Sequence, residues 1–401
     1  MTHAAATPPQ SPGQWAVRWF AVVAAALLCA SVPLVHLVWH GLLGHAAPPI
    51  RSRGQSTAPA PTATNLLDGS WMPQKERELR EASPIAWRLR SGWLELLYRA
   101  GLPRSPQVHV GRDEWFFLAA TVVPDRARFD QRREVRRRFF TAVRDRVRAA
   151  GAELFVWFVP DKARVYPEFA YGSGALPPGK AAVYGDVLAE LAELGIATTD
   201  VAAAIAAARR AAPAEELWFR RDTHWRPFGA LAAARAAAAA IEGGPLAARL
   251  GPRRDVELAG TESIRMVGDL TALLGLATVE EPDARGTHAV PMSLLTARLA
   301  EPRDYHGIVL REDGRALPLY GDTADAEIVV AGTSFSEENG WKALSLALGR
   351  PVRAVLERGA GGTAPARELL RLLDAGLRPR LVVWEFVERG LFEDEWQDPL
   401  R

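Results

Sequence analysis

The chain has 401 residues, which is enough for one large domain or two modest ones with a well-buried core. Its apolar fraction of 48% and charged fraction of 24% are ordinary for a globular protein. The 49 basic and 47 acidic side chains nearly cancel, and the formal charge of +2 gives no reason to expect a nucleic-acid partner.

An apolar segment dominates the N-terminal part of the chain. No Lys, Arg, Asp or Glu occurs from Trp19 to Leu43, and these 25 residues are long enough to cross a bilayer as a helix. We therefore predict an N-terminal tail over 1–18 and a transmembrane signal anchor over 19–43. A cleaved signal peptide is the alternative.

Two further features of this region bear on its chemistry and orientation. The single cysteine, Cys29, lies inside the apolar segment, so neither a disulfide within the chain nor a multi-thiolate zinc site is expected. Only Arg18 closely precedes the segment, whereas Arg51 and Arg53 follow it. The charge count alone therefore leans slightly against export of the rest of the chain.

The remainder of the chain divides by composition. Residues 44–94 are predicted to form a linker and pre-domain segment, because 46–64 is rich in Pro, Ala, Ser and Thr. From 95 to 401, short apolar runs alternate with segments of helical periodicity. The predicted strands are Glu153–Val159, Ile196–Thr199, Glu327–Ala331 and Arg380–Phe386, and the predicted helices are 131–150, 180–194, Val201–Ala212, Ala230–Ile241, 341–349 and 364–376. Continuous β-branched strands separated by helices imply an α/β three-layer sandwich with a central parallel sheet.

One predicted strand end carries a serine at the edge where such sheets bind ligands. Strand Glu327–Ala331 leads into Gly332–Ser336 (GTSFS), and a helix is predicted to begin near Asn339–Trp341. Ser334 would then lie in a tight turn whose helix amides favour a developing oxyanion. A serine at this place is either a nucleophile or a helix cap, and Ser336 is the better placed for a purely capping role.

A nucleophilic serine needs a base, and two histidines follow an aspartate by two residues. One pair is Asp222 and His224, and the other is Asp304 and His306. In an extended segment residues i and i+2 point to the same side, so either carboxylate can reach its imidazole and fix the tautomer. The spacing favours the first pair, which lies in a loop just before a helix. It leaves open the second pair, which leads into a predicted strand at Ile308–Leu310.

Six short blocks resemble, in order, the motifs of the alginate O-acetyltransferase family, the AlgJ and AlgX type of SGNH-hydrolase-like proteins. The blocks are Val110–Phe117, Pro160–Glu168, Asp222–Trp225, Gly268–Leu270, Gly332–Ser336 and Leu381–Arg389. Arg112 and Glu114 stand where the family has a lysine and a glycine. Because the chain ends soon after Arg389, the carbohydrate-binding module that some members carry is not expected.

The resemblance implies an SGNH-hydrolase-like sandwich and a serine-dependent O-acetyltransferase that acts on an exported polysaccharide. It assigns the nucleophile to Ser334, the general base to His224 and the orienting carboxylate to Asp222. The match thereby chooses the first Asp–His pair. It implies neither a cofactor nor a metal.

Three further residues in or near the matched blocks are candidates for the substrate pocket. They are Thr333, Asn339 and Arg389. For Asn339 a helix start is the alternative role, and for Arg389 a surface ion pair. The amide of Ser334 is the expected oxyanion donor.

The family also implies a cellular setting. Its members work outside the cytoplasmic membrane, so the resemblance overrides the charge count and predicts a periplasmic domain on a single-pass inner-membrane anchor. The implied partners are a membrane-bound O-acyltransferase as acetyl donor, a polysaccharide acceptor and a polysaccharide export complex. Two rival functions stay open: a carbohydrate acetylesterase with the same residues, and a non-catalytic scaffold of an export complex.

Overall fold

The computed structural model of the chain describes residues 84–102, 105–123, 125–279, 289–291, 297–322, 326–357, 361–392 and 396. The predicted tail, membrane anchor and most of the predicted linker lie outside these residues. Within the described part, no helix combines the length and the hydrophobicity needed to cross a membrane.

The chain divides into two compact units, 1–102 and 103–401. In the first unit the structure describes helix α1, Pro84–Arg99. The boundary predicted at 94/95 falls within this helix. On its surface Trp93 and Leu96 are exposed, and Arg99 pairs with Glu95 one turn earlier.

The second unit carries all the strands and the other helices that the structure describes. The strands are β1 Val108–Val110, β2 Phe116–Leu118, β3 Glu153–Val159, β4 Ala197–Thr198, β5 Asp255–Met266, β6 Ala277–Val279, β7 Ala289–Pro291, β8 Glu301–Glu312, β9 Arg315–Leu319, β10 Ile328–Gly332, β11 Val352–Leu356 and β12 Leu381–Val387. The α-helices are α2 Ala119–Val122, α3 Arg126–Gln131, α4 Arg133–Ala149, α5 Lys162–Val165, α6 Pro167–Ala170, α7 Pro178–Glu193, α8 Val201–Ala211, α9 Pro227–Glu242, α10 Asp269–Leu273, α11 Trp341–Leu348 and α12 Ala364–Asp374.

Five parallel strands form the central sheet, in the order β11-β10-β12-β3-β4. The longest pairing matches Leu381–Val387 with Glu153–Val159 over seven residues. Apart from Glu153 and Glu385, every residue of these two strands is apolar, because the sheet is buried on both faces. The central parallel sheet predicted from the sequence is thus confirmed, with β11 as a further edge strand.

Successive residues of the central strands enter two different cores. On one face Trp157, Val330 and Val383 pack in a core that includes residues of α8, α9 and α11. On the other face Phe158 and Trp384 pack in a core with residues of α4, α7 and α12. Helices on both faces make this part of the fold a three-layer sandwich.

A second, antiparallel sheet interrupts the α/β alternation. Strand β8 lies between β5 and β9 and pairs with β5 along most of its length. Many side chains of β5 are exposed, and its pairing with β8 shifts at a bulge between Ala259 and Thr261. The sequence predicted only Ile308–Leu310 of this sheet as a strand, although the N-terminal end of β8 brings Glu301 and Arg303 to the site described next.

Candidate active site

Ser334 occupies the first turn of a helix that follows β10. The Glu337 amide donates to the Thr333 carbonyl at 3.2 Å, so the helix begins five residues earlier than predicted. The side chain of Thr333 caps it, because its Oγ1 accepts from the Phe335 amide at 3.3 Å. Ser336, the expected cap, is instead buried against Gly332.

Ser334, His224 and Asp222 form a continuous hydrogen-bonded array. The Ser334 hydroxyl lies 2.8 Å from Nε2 of His224. Nδ1 of the same ring lies 2.7 Å from Oδ1 of Asp222, which also accepts from the His224 amide at 2.9 Å. Asp222 and His224 are buried, whereas Ser334 is half-buried. A reagent can therefore reach the hydroxyl while water is kept from the carboxylate.

The electrostatics of the array suit a general base. Burial opposes the charge of Asp222, but the Arg303 guanidinium and His224 hold the pKa of this carboxyl well below its usual range. Burial would lower the pKa of His224, yet the Asp222 carboxylate beside it raises that pKa above its ordinary value. The imidazole is therefore a stronger base than a free histidine, and Asp222 stays ionised to hold its Nδ1–H.

The loop that carries the Asp–His pair is anchored in the core by an aromatic residue. Trp225 is fully buried, and its indole N–H donates to the Phe335 carbonyl at 3.0 Å. An isolated bridge joins Trp225 to Trp218, and the Phe219 amide donates to the His224 carbonyl at 3.2 Å. The indole thus links the loop that carries Asp222 and His224, called the base loop below, directly to Phe335, the residue after the candidate nucleophile.

A buried lysine is hydrogen-bonded to the backbone of the same loop. The Lys162 ammonium donates to the carbonyls of Phe116 and Arg220 at 2.6 Å and to that of Asp222 at 3.0 Å. Burial lowers the pKa of Lys162 to about 7. The lysine therefore fixes the backbone of Asp222, the aspartate that orients His224.

The Gly268–Leu270 block contacts the loop from another side. Asp269 accepts from the Thr223 amide at 2.7 Å and from its hydroxyl at 2.5 Å, and the Asp269 amide donates to Oδ2 of Asp222 at 3.1 Å. A Cβ at Gly268 would lie 2.1 Å from the Arg221 carbonyl, so only glycine permits this approach. The block therefore belongs to the site.

A fully buried carboxylate supports the serine turn. Oε2 of Glu385, on β12, accepts from the amides of Thr333 at 2.7 Å and Ser336 at 3.2 Å, and Thr333 Oγ1 lies 3.1 Å from Oε1. Burial raises the pKa of Glu385, and these hydrogen bonds oppose that effect. Sequence reasoning missed this role, although a single glutamate inside an apolar strand was a visible signal.

The alternative Asp304–His306 pair lies on β8 but makes different contacts. Nδ1 of His306 lies 3.0 Å from Oγ1 of Thr261 on the neighbouring strand, in an exposed position. The side chain that β8 delivers to the array is Arg303, next to this pair in sequence. The geometry therefore favours Asp222 and His224, as the sequence did.

The three predicted pocket residues lie close to the serine turn in sequence or space. Thr333 serves as the helix cap. Asn339 is buried within a π-helical turn, Ser336–Gly340, and does not start the helix. The Arg389 guanidinium lies 5.1 Å from the ring centroid of Phe335, so it stacks beside the residue that follows Ser334.

Asp222, His224 and Asp269 also have the composition of a cation site, since one donor atom from each lies within 4.8 Å of the others. Their donor atoms are already committed, because Asp222 binds His224 and Arg303, and Asp269 binds Thr223. A metal ion on Nδ1 of His224 would have to break the hydrogen bond between His224 and Asp222, and one on Oδ2 of Asp222 would have to displace the Arg303 guanidinium. The donor set therefore fits proton transfer better than metal binding.

A parallel sheet with helices on both faces, and a Ser–His–Asp array at the carboxyl ends of its strands, define the class of SGNH-hydrolase-like α/β proteins. Residues 108–388 match the family model described as "SGNH hydrolase-like domain, acetyltransferase AlgX". The chain belongs to this family.

Several relatives carry a more specific name. The "Probable alginate O-acetylase AlgJ" of Pseudomonas syringae pv. tomato is 29% identical over 348 residues, which cover 83% of each chain. The protein of the same name from Pseudomonas fluorescens is 30% identical over 334 residues, or 81% of this chain and 79% of that one. Among solved structures, the "O-Acetyltransferase Domain of Pseudomonas putida AlgJ" superposes with a TM-score of 0.56 at 26% identity, covering 72% of this chain and 94% of that one.

Proposed function

We propose that this protein is an O-acetyltransferase that moves an acetyl group through an acetyl-Ser334 intermediate onto hydroxyls of an exported polysaccharide. The relatives named as alginate O-acetylases support the reaction class and point to alginate or a similar exopolysaccharide as acceptor. The observation that carries the mechanism is the unbroken path from Ser334 Oγ through His224 to Asp222.

The reaction proceeds in two steps, acetylation of Ser334 and transfer of the acetyl group to the sugar. Nε2 of His224 takes the Ser334 proton while Oγ attacks the acetyl carbonyl, and the donor leaves with that proton. A sugar hydroxyl then attacks acetyl-Ser334, His224 takes the hydroxyl proton, and the proton returns to the serine as it leaves. The Ser334 amide, at the start of the helix, donates to the oxyanion in both steps.

Intact-protein mass spectrometry with a chromogenic acetyl ester tests the covalent step. We expect one acetyl group on the wild-type protein, located at Ser334, and none on Ser334→Ala. Ser173→Ala is the matched control, because this exposed serine bonds to Ala175 of its own loop. Acetylation of Ser334→Ala at the wild-type rate would reject the mechanism.

An acceptor glycan separates transfer from hydrolysis. Both reactions use the same array, and they differ in whether a sugar hydroxyl or water reaches the acetyl-serine. We expect an alginate-type oligosaccharide to receive acetyl groups and to reduce the acetate released per ester consumed. Acetate release that does not change with acceptor would identify an esterase.

We also propose that the domain works in the periplasm on an inner-membrane anchor formed by 19–43, and that a membrane-bound O-acyltransferase supplies the acetyl groups. Fractionation of cells with protease added to spheroplasts tests this arrangement. A domain that is protected in intact spheroplasts would contradict it. In the same cells, unchanged polymer acetylation with Ser334→Ala would favour a scaffold within an export complex.

A further inference from the structure

Arg303 makes contacts that no sequence motif predicted. It is buried on β8, and its Nη2 donates to Oδ2 of Asp222 at 2.5 Å. Its Nη1 donates to both carboxylate oxygens of Glu338, at 3.0 and 3.1 Å. The guanidinium plane also lies 4.6 Å from the ring centroid of Phe219, so its position is fixed on several sides.

The contact completes the hydrogen bonding of the orienting carboxylate. Oδ1 of Asp222 is used by the ring and the amide of His224, and Oδ2 is held by Arg303 and by the Asp269 amide. Without the guanidinium, a single backbone amide would hold Oδ2, and the carboxylate would be freer to rotate away from the imidazole. The Arg303 charge also offsets the burial of a charged Asp222.

The second arm reaches the serine segment. Glu338 lies in the π-helical turn that follows Ser334, four residues after it. Arg303 therefore ties the Asp–His loop to the segment that carries the candidate nucleophile. The charged and titratable groups that face this cluster are Asp222, His224, Asp269, Glu338 and Tyr305.

We propose that Arg303 is a positioning residue of the acyl-transfer site. Together with Glu338 it forms a clamp that fixes Asp222 relative to the segment that carries Ser334. This inference rests on the proposed function. It gives the inserted antiparallel sheet a role, since β8 delivers the clamp from outside the α/β sandwich.

Substitutions of Arg303 and of Glu338 should shift the pH profile of kcat/KM in opposite directions. Arg303→Met removes a positive charge near His224, which favours the imidazolium and moves the acid limb of kcat/KM to higher pH. Glu338→Gln removes a negative charge that raises the pKa of His224, so the limb moves to lower pH. A residue that only supports the fold would leave the midpoint of this limb unchanged.

Steady-state cleavage of a chromogenic acetyl ester measures the effect. We expect kcat of Arg303→Met to fall on the order of a hundredfold, the size typical of a catalytic group misplaced by about 1 Å, with little change in KM. Arg303→Lys keeps the charge but cannot hold both carboxylates, so it should restore the midpoint and only part of kcat. Arg311→Met is the matched control, because Arg311 lies on the same strand and pairs with Glu257 at the surface.

The outcomes distinguish this inference from the proposed function. If Ser334→Ala is inactive but Arg303→Met keeps the kcat and the acid limb of Arg311→Met, the clamp is wrong and the proposed function stands. If Ser334→Ala is fully active, the proposed function itself fails. If Arg303→Met does not fold, Arg303→Lys and Glu338→Gln decide: wild-type kcat and an unmoved limb in both would overturn the clamp.

Discussion

His224 can act as a base only when its Nε2 is unprotonated, so the environment of one ring sets the working pH range. The Asp222 carboxylate raises the pKa of His224 above the ordinary value of 6.5 despite its burial. Because protonation removes the base, activity should be full above this raised pKa and lost as the pH falls through it. We expect the acid limb of kcat/KM for acetyl-ester cleavage to have its midpoint above 6.5.

A pH–rate profile of the wild-type protein and of Asp222→Asn checks the sign. Loss of the carboxylate charge should move the midpoint downward, and the wrong tautomer should lower the plateau by roughly 10⁴-fold, the effect of the same change in a serine-protease triad. A wild-type midpoint below 6.5, or a midpoint that Asp222→Asn does not move, would contradict the assignment of this limb to His224.

At the scale of single residues, the sequence alone predicted a contact where the two residues lie close together in the chain. Asp222 and His224 are two residues apart, and their contact follows from extended geometry alone. The contact between Ser334 and His224 spans 110 residues, and it was predicted through the family resemblance. Arg303 and Glu385 escaped because nothing local to either residue records which distant carboxylate or amide it will meet.

At the scale of elements, the serine turn depends on how a helix begins above a strand. Oε2 of Glu385 accepts from two amides, and the Thr333 hydroxyl lies 3.0 Å from this oxygen and 3.1 Å from Oε1. Glutamine can reproduce this arrangement, with its carbonyl toward the amides and its NH₂ toward the hydroxyl. We expect Glu385→Gln to keep activity within about tenfold, and Glu385→Ala to lower the free energy of unfolding by about 2–4 kcal/mol through two buried amides without acceptors.

Urea unfolding and ester cleavage of the two variants test this view of the turn. A Glu385→Gln variant as unstable as Glu385→Ala would mean that the charge, rather than the hydrogen bonding, holds the helix start. Such a result would instead favour interaction of the carboxylate with the helix dipole as the main contribution.

Gly332 offers a second test of the same turn. A Cβ there would lie 2.1 Å from Oγ and 2.4 Å from Cβ of Ser336, so the turn must move to admit it. We expect Gly332→Ala to lower the free energy of unfolding by about 1–3 kcal/mol and to reduce kcat sharply. Gly185→Ala in α7, where a Cβ meets nothing within 4 Å, should raise stability by about 0.5–1 kcal/mol.

Thermal unfolding and kcat of the two glycine variants give the comparison. Wild-type kcat in a folded Gly332→Ala protein would show that the turn tolerates displacement, and would weaken the link between its geometry and Ser334.

The strands that the sequence predicted correctly belong to the central sheet, which is buried on both faces. The predicted strand Glu153–Val159 is apolar after its first residue, and the observed strand has these same bounds. Strand β11, Val352–Leu356, was missed because an arginine interrupts it at the sheet edge. Strand β5 was missed because its many exposed polar side chains leave little apolar alternation to read. Strand β9 was missed because it is only five residues long and contains a proline.

At the scale of the whole molecule, segments far apart in sequence converge beneath the base loop. The Lys162 ammonium joins β2 at Phe116 to the loop at Arg220 and Asp222, and its three N–H groups meet three carbonyl oxygens. Glu301 of β8 holds the same loop by accepting from the Arg220 amide at 2.8 Å and the Arg221 amide at 2.9 Å. The active geometry is therefore a product of the assembled fold rather than of any one motif.

Lys162→Met retains the length of the side chain and removes all three donors. The carbonyls of Phe116, Arg220 and Asp222 would lose their shared partner, so we expect the free energy of unfolding to fall by about 2–4 kcal/mol. We also expect kcat to fall because the Asp222 backbone is released. Lys342→Met, at a half-buried lysine on α11, serves as the matched control.

The pH dependence of stability distinguishes a buried ammonium from simple packing. Burial lowers the pKa of Lys162 to about 7 in the folded protein, against 10.5 in the unfolded chain. Between these values the unfolded chain binds more protons, so wild-type stability gains from Lys162 as the pH rises and loses that gain as the pH falls through about 7. In urea unfolding, the stability difference between wild type and Lys162→Met should therefore widen from pH 7 toward pH 10, whereas the difference between wild type and Lys342→Met should widen less. A gap that stays constant over this range would mean that Lys162 keeps its proton in the folded protein and that burial does not lower its pKa.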